Sequence, residues 1–457
     1  MPSVAFVSLG CAKNLVDTEV MIAKLAGNGW HLESDTDRAD TVVINTCAFI
    51  DPAKAESTQA ILDHAARKQP GQQLIVAGCL AQRYGAQLQT LIPEIDGIVG
   101  TGAYAGIADV LREAQAGHHP VRLHFEAEPV HDFLPRLVTT PQATAYLKVA
   151  EGCDHPCTFC IIPTLRGPFR SRGLESICAE ARALVTGGAK EPILIAQDTS
   201  MWGRDLGIRR GGLAQLLGRL HEIEGLEWIR LLYLYPATVD DELISAIATL
   251  PKVCKYMDMP LQHVHPEVLR AMRRPSNGER YLQLIEEFRA RVPEITMRST
   301  FIVGFPGERN EHVAYLEEWL GRAQLDRVGF FEYSAEEGTP AASLPSAVPL
   351  RKRRERLIAL REAQRHASEA ARRRRCGRTV RVLAEESRYL REYDEARRRL
   401  DATRAWFGRS EGEAPGVDGG IYFTGAATPG EFVDVRLQDH GAFDFFGSAV
   451  TAERCAV

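Results

Sequence analysis

Short apolar, β-rich runs recur at Val4–Leu9, Thr41–Asn45, Leu74–Ala77 and Gly97–Gly100, and stretches with apolar residues at helical spacing, Asn14–Ala26 and Pro52–Lys68, fall between them. Strands that alternate with helices and read as continuous apolar runs predict a parallel sheet covered on both faces over residues 1 to about 115. Residues 116–142 break the pattern with Pro120, Pro129, Pro135 and Pro141 and predict a linker or crossing segment. Alternation resumes at Tyr146–Ala150 and recurs at Pro192–Ala196, Trp228–Tyr233, Tyr256–Met259, Met297–Val303 and Arg327–Tyr333, with helical patterns such as Leu174–Thr186, Leu213–Ile223 and Glu279–Arg291 between. Six strand-helix units predict a partial, TIM-like (β/α)6 barrel whose site lies at the C-terminal ends of its strands. After a second proline-marked break, Gly338 to Pro349, the basic stretch Leu350–Arg375 is helical in composition. Thr379–Ala384, Ile421–Thr424, Glu431–Leu437 and Phe445–Ala449 then read as short strands of a small all-β unit, a five-stranded, OB-like barrel. The fold class expected is therefore multidomain α/β.

Composition narrows the class. With 457 residues, 45% hydrophobic and 25% charged, the chain is expected to fold into several soluble domains. No run approaches the roughly 18 consecutive apolar residues of a spanning helix, so no membrane is expected. The opening MPSVAFVSLGCAKN places no Lys or Arg ahead of its apolar run, which argues against a signal peptide and for a cytoplasmic location. Ten cysteines are too few for a disulfide scaffold, and clustered cysteines in a reducing compartment bind metal or do chemistry. The net charge of -5 hides an asymmetry: residues 1–350 sum to -10, residues 351–410 to +11 and residues 411–457 to -6. A basic block of this kind is either a solvated helix face or a polyanion-facing segment.

Two cysteine constellations stand out. Cys153, Cys157 and Cys160 form a C-x3-C-x2-C array just after the first barrel strand. Three thiolates on one loop can hold a four-iron, four-sulfur cluster, and since such clusters normally take four cysteines, one iron is left for another ligand. A zinc site completed by His155 is the alternative. Cys11, Cys47 and Cys79 each follow an apolar run. In a parallel sheet such strand ends share one edge, where ligands bind, so the three converge on a metal site with an open position, fitting either a second iron-sulfur cluster or a catalytic zinc.

The array resembles that of the radical S-adenosylmethionine enzymes. The stretches SLGCAKNLVDTE, INTCAFI, AGCLAQRY, EGCDHPCTFCIIPTLRG, GFPGE and YSAEEGTPA together resemble the methylthiotransferases. That resemblance implies an N-terminal cluster domain (1–118), a radical S-adenosylmethionine core barrel (139–372) and a C-terminal TRAM domain (376–457). It also implies two [4Fe-4S] clusters, on Cys11, Cys47 and Cys79 and on Cys153, Cys157 and Cys160, and two molecules of S-adenosylmethionine. One donates a methyl group to sulfur held at the first cluster. The other is cleaved at the second, giving a radical that removes the substrate hydrogen. Phe159, by the resemblance, packs near the adenine, and Gln197, Asp198, Gln262, Gly304 and Glu308, at barrel strand ends, are the other expected cofactor contacts.

Within the family, Met259-Pro260-Leu261-Gln262-His263, ILIAQDT, GRSEGEAPGVDG and GEFVDVRL look like the branch that methylthiolates an aspartate β-carbon of small-subunit ribosomal protein S-twelve. A transfer RNA adenosine methylthiotransferase is the nearest alternative, and an iron-sulfur carrier a further one. The implied partners are that ribosomal protein, an electron donor such as flavodoxin or ferredoxin, and nucleic acid through the basic C-terminal segment. Arg388–Ala402, read as an arginine-rich helical insertion, departs from the family pattern.

Overall fold

The computed structural model describes residues 1–123, 135–141, 143–392 and 394–450. Six parallel strands, β1 (Ser3–Ser8), β2 (His31–Leu32), β3 (Thr41–Thr46), β4 (Gln73–Gly78), β5 (Gly97–Val99) and β6 (Val121–Arg122), form one sheet in the order β2-β1-β3-β4-β5-β6. β3 is buried at every residue, because helices cover both faces: α1 (Ala12–Gly27) on one side, and α2 (Asp51–Arg67) with α3 (Cys79–Tyr84) on the other. Part of the expected linker is thus the sixth strand, since Val121 and Arg122 complete a ladder with Ile98 and Val99. Pro129, in the same stretch, lies outside the described residues. Farther along, Arg136 and Thr139 bond Glu19 of α1, and Arg136 also reaches Glu180, 2.7 Å away, so the chain crosses pinned between α1 and the helix Leu174–Thr186.

The central region contributes β7 (Thr144–Lys148), β8 (Ala150–Glu151), β9 (Arg170–Ser171), β10 (Glu191–Ile195), β11 (Arg230–Leu231), β12 (Tyr256–Asp258), β13 (Thr296–Val303) and β14 (Arg327–Glu332). Parallel pairing joins β7, β10 and β11, and separately β12, β13 and β14. A parallel bridge between Ile229 and Val253 connects the two halves, giving a six-stranded arc open between β7 and β14. Apolar outer faces pack under the surrounding helices. Ile193, Ile195, Leu232 and Tyr256 line the inner side together with Val16 of α1 and Ala414 from the C-terminal unit. The expected strand Trp228–Tyr233 is shortened to two residues, because Tyr233 turns the backbone with φ +62° and donates its amide to the Asp258 carboxylate at 3.0 Å.

The C-terminal unit is a closed barrel of β15 (Thr379–Tyr389), β16 (Arg404–Arg409), β17 (Ile421–Thr424), β18 (Phe432–His440) and β19 (Phe445–Ala449). Among the described residues of the expected helical insertion, only Glu395–Leu400 is helical. Arg388 and Tyr389 extend β15 instead, because they pair with Ala405 and Arg404 of β16, the strand the sequence pattern left unassigned. The helix Leu350–Arg375 follows the basic stretch end to end.

The loop after β16 plugs the N-terminal end of the arc. Glu191 receives Arg230 Nε at 2.7 Å and Arg409 Nη2 at 2.6 Å, and Glu413 receives the half-buried Arg375 at 2.7 Å and Arg327 at 3.1 Å, with both carboxylates deep in the protein. Burial opposes ionisation of both carboxylates, but the facing guanidinium groups hold each at about 2. This gives the segment GRSEGEAPGVDG a structural task. Removing one member of a buried ion pair costs about 3–5 kcal/mol, so Arg409→Met is expected to destabilise the chain by that order, read as a lower urea midpoint. Because both folded values lie below the ordinary 4.5, their stabilisation is complete above pH 4.5 and is lost as pH falls toward 2. The Arg409→Met variant should lose part of that acid dependence.

Candidate functional site

The C-x3-C-x2-C loop leaves the arc between β8 and β9, which pair antiparallel at Ala150–Ser171 and Glu151–Arg170. Gly152 begins it at φ +81°, and a Cβ there would lie 1.9 Å from the Pro168 carbonyl, so only glycine fits. Backbone bonds then fix the loop: Cys153 N to Gly167 O at 3.1 Å, Thr158 N to Met272 O at 3.2 Å, and Ala341 N to Thr158 O at 2.8 Å. Burial, and then the neighbouring sulfurs among other charges, raise the thiols of Cys153 to about 11 and Cys160 to about 12. Thiols ionise when a metal takes them up, and three of them on one loop fit a cluster with one iron lacking a protein ligand. His155, the alternative zinc ligand, is occupied elsewhere: its Nε2 lies 2.6 Å from Asp198 Oδ2 and its ring stacks on Tyr235 at 3.8 Å.

The sheet edge gathers the other triad. Cys11 is the N-cap of α1, Cys47 follows β3 and Cys79 opens α3. Gly10 and Gly78 precede the first and third with φ near +90°. A Cβ on Gly10 would strike Cys47 Cβ at 2.8 Å, and one on Gly78 would strike Asn45 Oδ1 at 2.2 Å. Burial pushes Cys79 up to about 12 and raises Cys47, and in both cases the nearby Arg166 guanidinium opposes the shift while Cys11 adds to it. Asn14 Nδ2 donates to Leu9 O at 3.1 Å and Thr46 O at 2.8 Å, tying the Cys11 and Cys47 turns together. Cys79 Sγ lies 3.7 Å from Asn14 Oδ1.

A buried ionic group joins the two triads. Arg166, a few residues after Cys160 in the chain, places Nη2 3.7 Å from Cys79 Sγ and Nη1 2.8 Å from Asp17 and 3.1 Å from Glu151. Lys148 bridges the same carboxylates at 2.5 and 2.9 Å, and Gln197 Nε2 donates to Glu151 at 2.7 Å. Glu151 sits two residues before Cys153 and Asp17 lies on the helix capped by Cys11. Burial works against Glu151, but Arg166 and Lys148 hold it at about 2. Lys13, beside Cys11, reaches across to place Nζ 3.0 Å above the Tyr233 ring, and burial lowers it to about 8. None of Lys13, Asp17, Lys148, Glu151 or Arg166 was singled out from sequence, although each lies inside or beside a motif string.

The expected cofactor contacts divide. Gln197 keeps a buried Oε1 with no hydrogen-bond partner among the described residues, an acceptor turned toward neither backbone nor side chain. Gln262 lies beyond the end of β12, at φ +70°, in a parallel bridge to Phe301 with its backbone bonded to Thr300 and Ile302 and its side chain half-buried. Asp198 spends its oxygens on Ser200, Thr238 and His155, which makes it a brace for the cysteine loop. Glu308 accepts the Gly304 amide at 3.0 Å and Arg356 at 2.8 Å, closing the GFPGE turn on itself. Phe159 packs on the group formed by Val268, Met272, Phe305 and Tyr333. Away from both triads, His265, Glu267 and His312 approach within 4.8 Å, but each histidine Nδ1 accepts a backbone amide, leaving the proton on the nitrogen a metal would need.

Three family models match the chain: the uncharacterized protein family UPF0004 over residues 3–100, the radical SAM superfamily over 147–320 and the TRAM domain over 376–450. The chain is similar to the ribosomal protein uS12 methylthiotransferase RimO of Geobacter sulfurreducens, 44% identical over 98% of each chain. To its counterpart in Symbiobacterium thermophilum it is 45% identical over 98% of this chain and 90% of that one. Among solved structures it shares its fold with the radical S-adenosylmethionine methyltransferase TsrM of Kitasatospora setae (16% identity, TM-score 0.56, 75% of this chain and 77% of that one). It shares it also with the cobalamin-dependent S-adenosylmethionine radical enzyme OxsB (12% identity, TM-score 0.51, 79% of this chain and 56% of that one).

Proposed function

Since the chain belongs to the family of ribosomal protein uS12 methylthiotransferases, we propose that it methylthiolates an aspartate β-carbon of that protein, with one task assigned to each cysteine triad. The observation that carries this reading is the placement of two open three-thiol sites on either side of one buried ionic group, Asp17, Lys148, Glu151 and Arg166. Clusters held by Cys153, Cys157 and Cys160 and by Cys11, Cys47 and Cys79 would supply, respectively, the electron that cleaves S-adenosylmethionine and the anchor for the sulfur that is methylated and transferred.

The protein's own part is placement. Asp198 holds His155 and thereby the first loop. Asn14 and Arg166 hold the second site to the first. Gln197, with its nitrogen fixed on Glu151 and its oxygen without a partner among the described residues, offers an acceptor to a cationic ligand group at the strand ends. A three-ligand site leaves room for an outside ligand in each place.

Among the described residues no helix is long and apolar enough to cross a membrane. With a ribosomal protein as substrate, the reaction would run in the cytoplasm. A flavodoxin or ferredoxin would be the electron donor. Nucleic acid contact is supported by aromatic and arginine pairs on the C-terminal barrel, with Arg388 3.9 Å over Phe407 and Arg404 5.2 Å over the exposed Tyr389, an arrangement on which bases stack.

The direct test offers the anaerobically reconstituted enzyme, with reductant and S-adenosylmethionine, either a peptide carrying the uS12 aspartate loop or transfer RNA. A methylthio mass gain on the peptide is expected. Gain on the RNA and never on the peptide would select the transfer RNA reading.

A further inference from the structure

Arg274 has no task in the reaction set out above. It follows the helix Pro266–Ala271 and is only 5% exposed. Its Nη1 lies 3.7 Å from Cys157 Sγ, and its Nη2 donates to Pro260 O at 2.8 Å. The guanidinium sits 4.2 Å over the Tyr235 ring, and Tyr235 is itself sandwiched by His155, which Asp198 holds. Among the described residues no carboxylate pairs with Arg274, and its buried Nε has no partner. A guanidinium withdrawn from water costs several kcal/mol unless a negative charge faces it. The negative charge that this site offers is the Cys157 sulfur and whatever that sulfur holds.

We propose that Arg274 sets the reduction potential of the site formed by Cys153, Cys157 and Cys160, by fixing a positive charge against the Cys157 sulfur. This rests on the reading that these cysteines hold an iron-sulfur cluster. On reduction, one electron arrives from a low-potential donor and the site becomes more negative by one charge. No bond breaks, and Arg274 stays protonated throughout. A buried cation close to sulfur favours the more negative state, since net charge and hydrogen bonds to sulfur are among the levers on cluster potential. The Tyr235–His155–Asp198 stack keeps the charge in place.

The test uses the full-length chain carrying Cys11→Ala, Cys47→Ala and Cys79→Ala, so that one site loads. It is reconstituted anaerobically with iron and sulfide and titrated with dithionite under electron paramagnetic resonance. Arg274→Gln keeps a donor for Pro260 O but no charge. At the parent's midpoint its reduced-to-oxidised ratio should fall at least tenfold, equivalent to about 59 mV for one electron. Arg274→Lys, which keeps the charge, should stay within about threefold of the parent. Equal midpoints for Arg274→Gln and the parent, at equal iron content, overturn the proposal and leave the cluster reading standing. If Arg274→Gln loads no iron, Tyr235→Leu decides by releasing the guanidinium: a lower midpoint supports the proposal and an unchanged one overturns it. A parent that takes up no iron overturns the cluster reading, and this proposal with it.

Discussion

Replacing Cys157 with alanine is expected to reduce both reductive cleavage of S-adenosylmethionine and methylthiolation to background, whereas Cys11→Ala abolishes methylthiolation and leaves cleavage detectable. The asymmetry follows from the geometry. Cys157 shares a loop with Cys153 and Cys160, and its neighbours are Arg274, Tyr235 and the barrel strand ends. Cys11 caps α1 at the far side of Arg166, where its companions are Cys47 and Cys79. Loss of a ligand should exceed the roughly 10–100-fold effect typical of losing an outer partner of a metal site. Liquid chromatography of deoxyadenosine, run beside mass spectrometry of the peptide, separates the two activities. If cleavage vanished in Cys11→Ala as fully as in Cys157→Ala, the division of labour would be wrong.

Arg166→Leu should be the most damaging change outside the cysteines. It strips one cation from a buried set in which, among the described residues, Arg166 and Lys148 are the two cations paired with Asp17 and Glu151, and the uncompensated carboxylate costs about 3–5 kcal/mol. It also removes the contacts to Cys79 and Asn14, so iron uptake at the N-terminal site should fall with stability. Arg166→Lys keeps the charge but loses the fork that spans four partners, and it should lie between the wild type and the leucine variant. Chemical denaturation and iron content, measured on the same preparations, check both parts. Equal stability of Arg166→Leu and wild type would show that the group does not hold the two triads together.

Much of this was legible in the sequence because it repeats. Three apolar runs ending in cysteine, and one tight C-x3-C-x2-C array, mark two candidate metal sites through spacing, and strand-helix alternation gives the sheet and the arc. What spacing cannot show is pairing over distance. Asp17 and Lys148 are 131 positions apart and Asn14 and Arg166 are 152 apart, and a single charged residue in a motif string looks the same whether it faces water or a buried partner. Asp198 and Glu308 illustrate the converse. Their places at strand ends suggest ligand contacts, whereas the fold commits their oxygens to His155, Ser200, Gly304 and Arg356. β16 escaped because its residues, RAWFGR, sit beside an arginine-rich stretch whose composition reads as helix, and only the ladder with β15 makes them a strand. The net charge hid its meaning for a similar reason: several arginines counted in the basic segment are spent inside, Arg375 and Arg409 on buried glutamates.

The account is tested most directly by following one hydrogen. A uS12 loop peptide with deuterium at the target aspartate β-carbon is incubated anaerobically with the reconstituted enzyme, reductant and S-adenosylmethionine, and the deoxyadenosine formed is weighed by mass spectrometry. Deuterium carried into deoxyadenosine, in step with methylthio gain on the peptide, is the predicted result. Deoxyadenosine formed without deuterium, while the peptide stays unmodified, would contradict it.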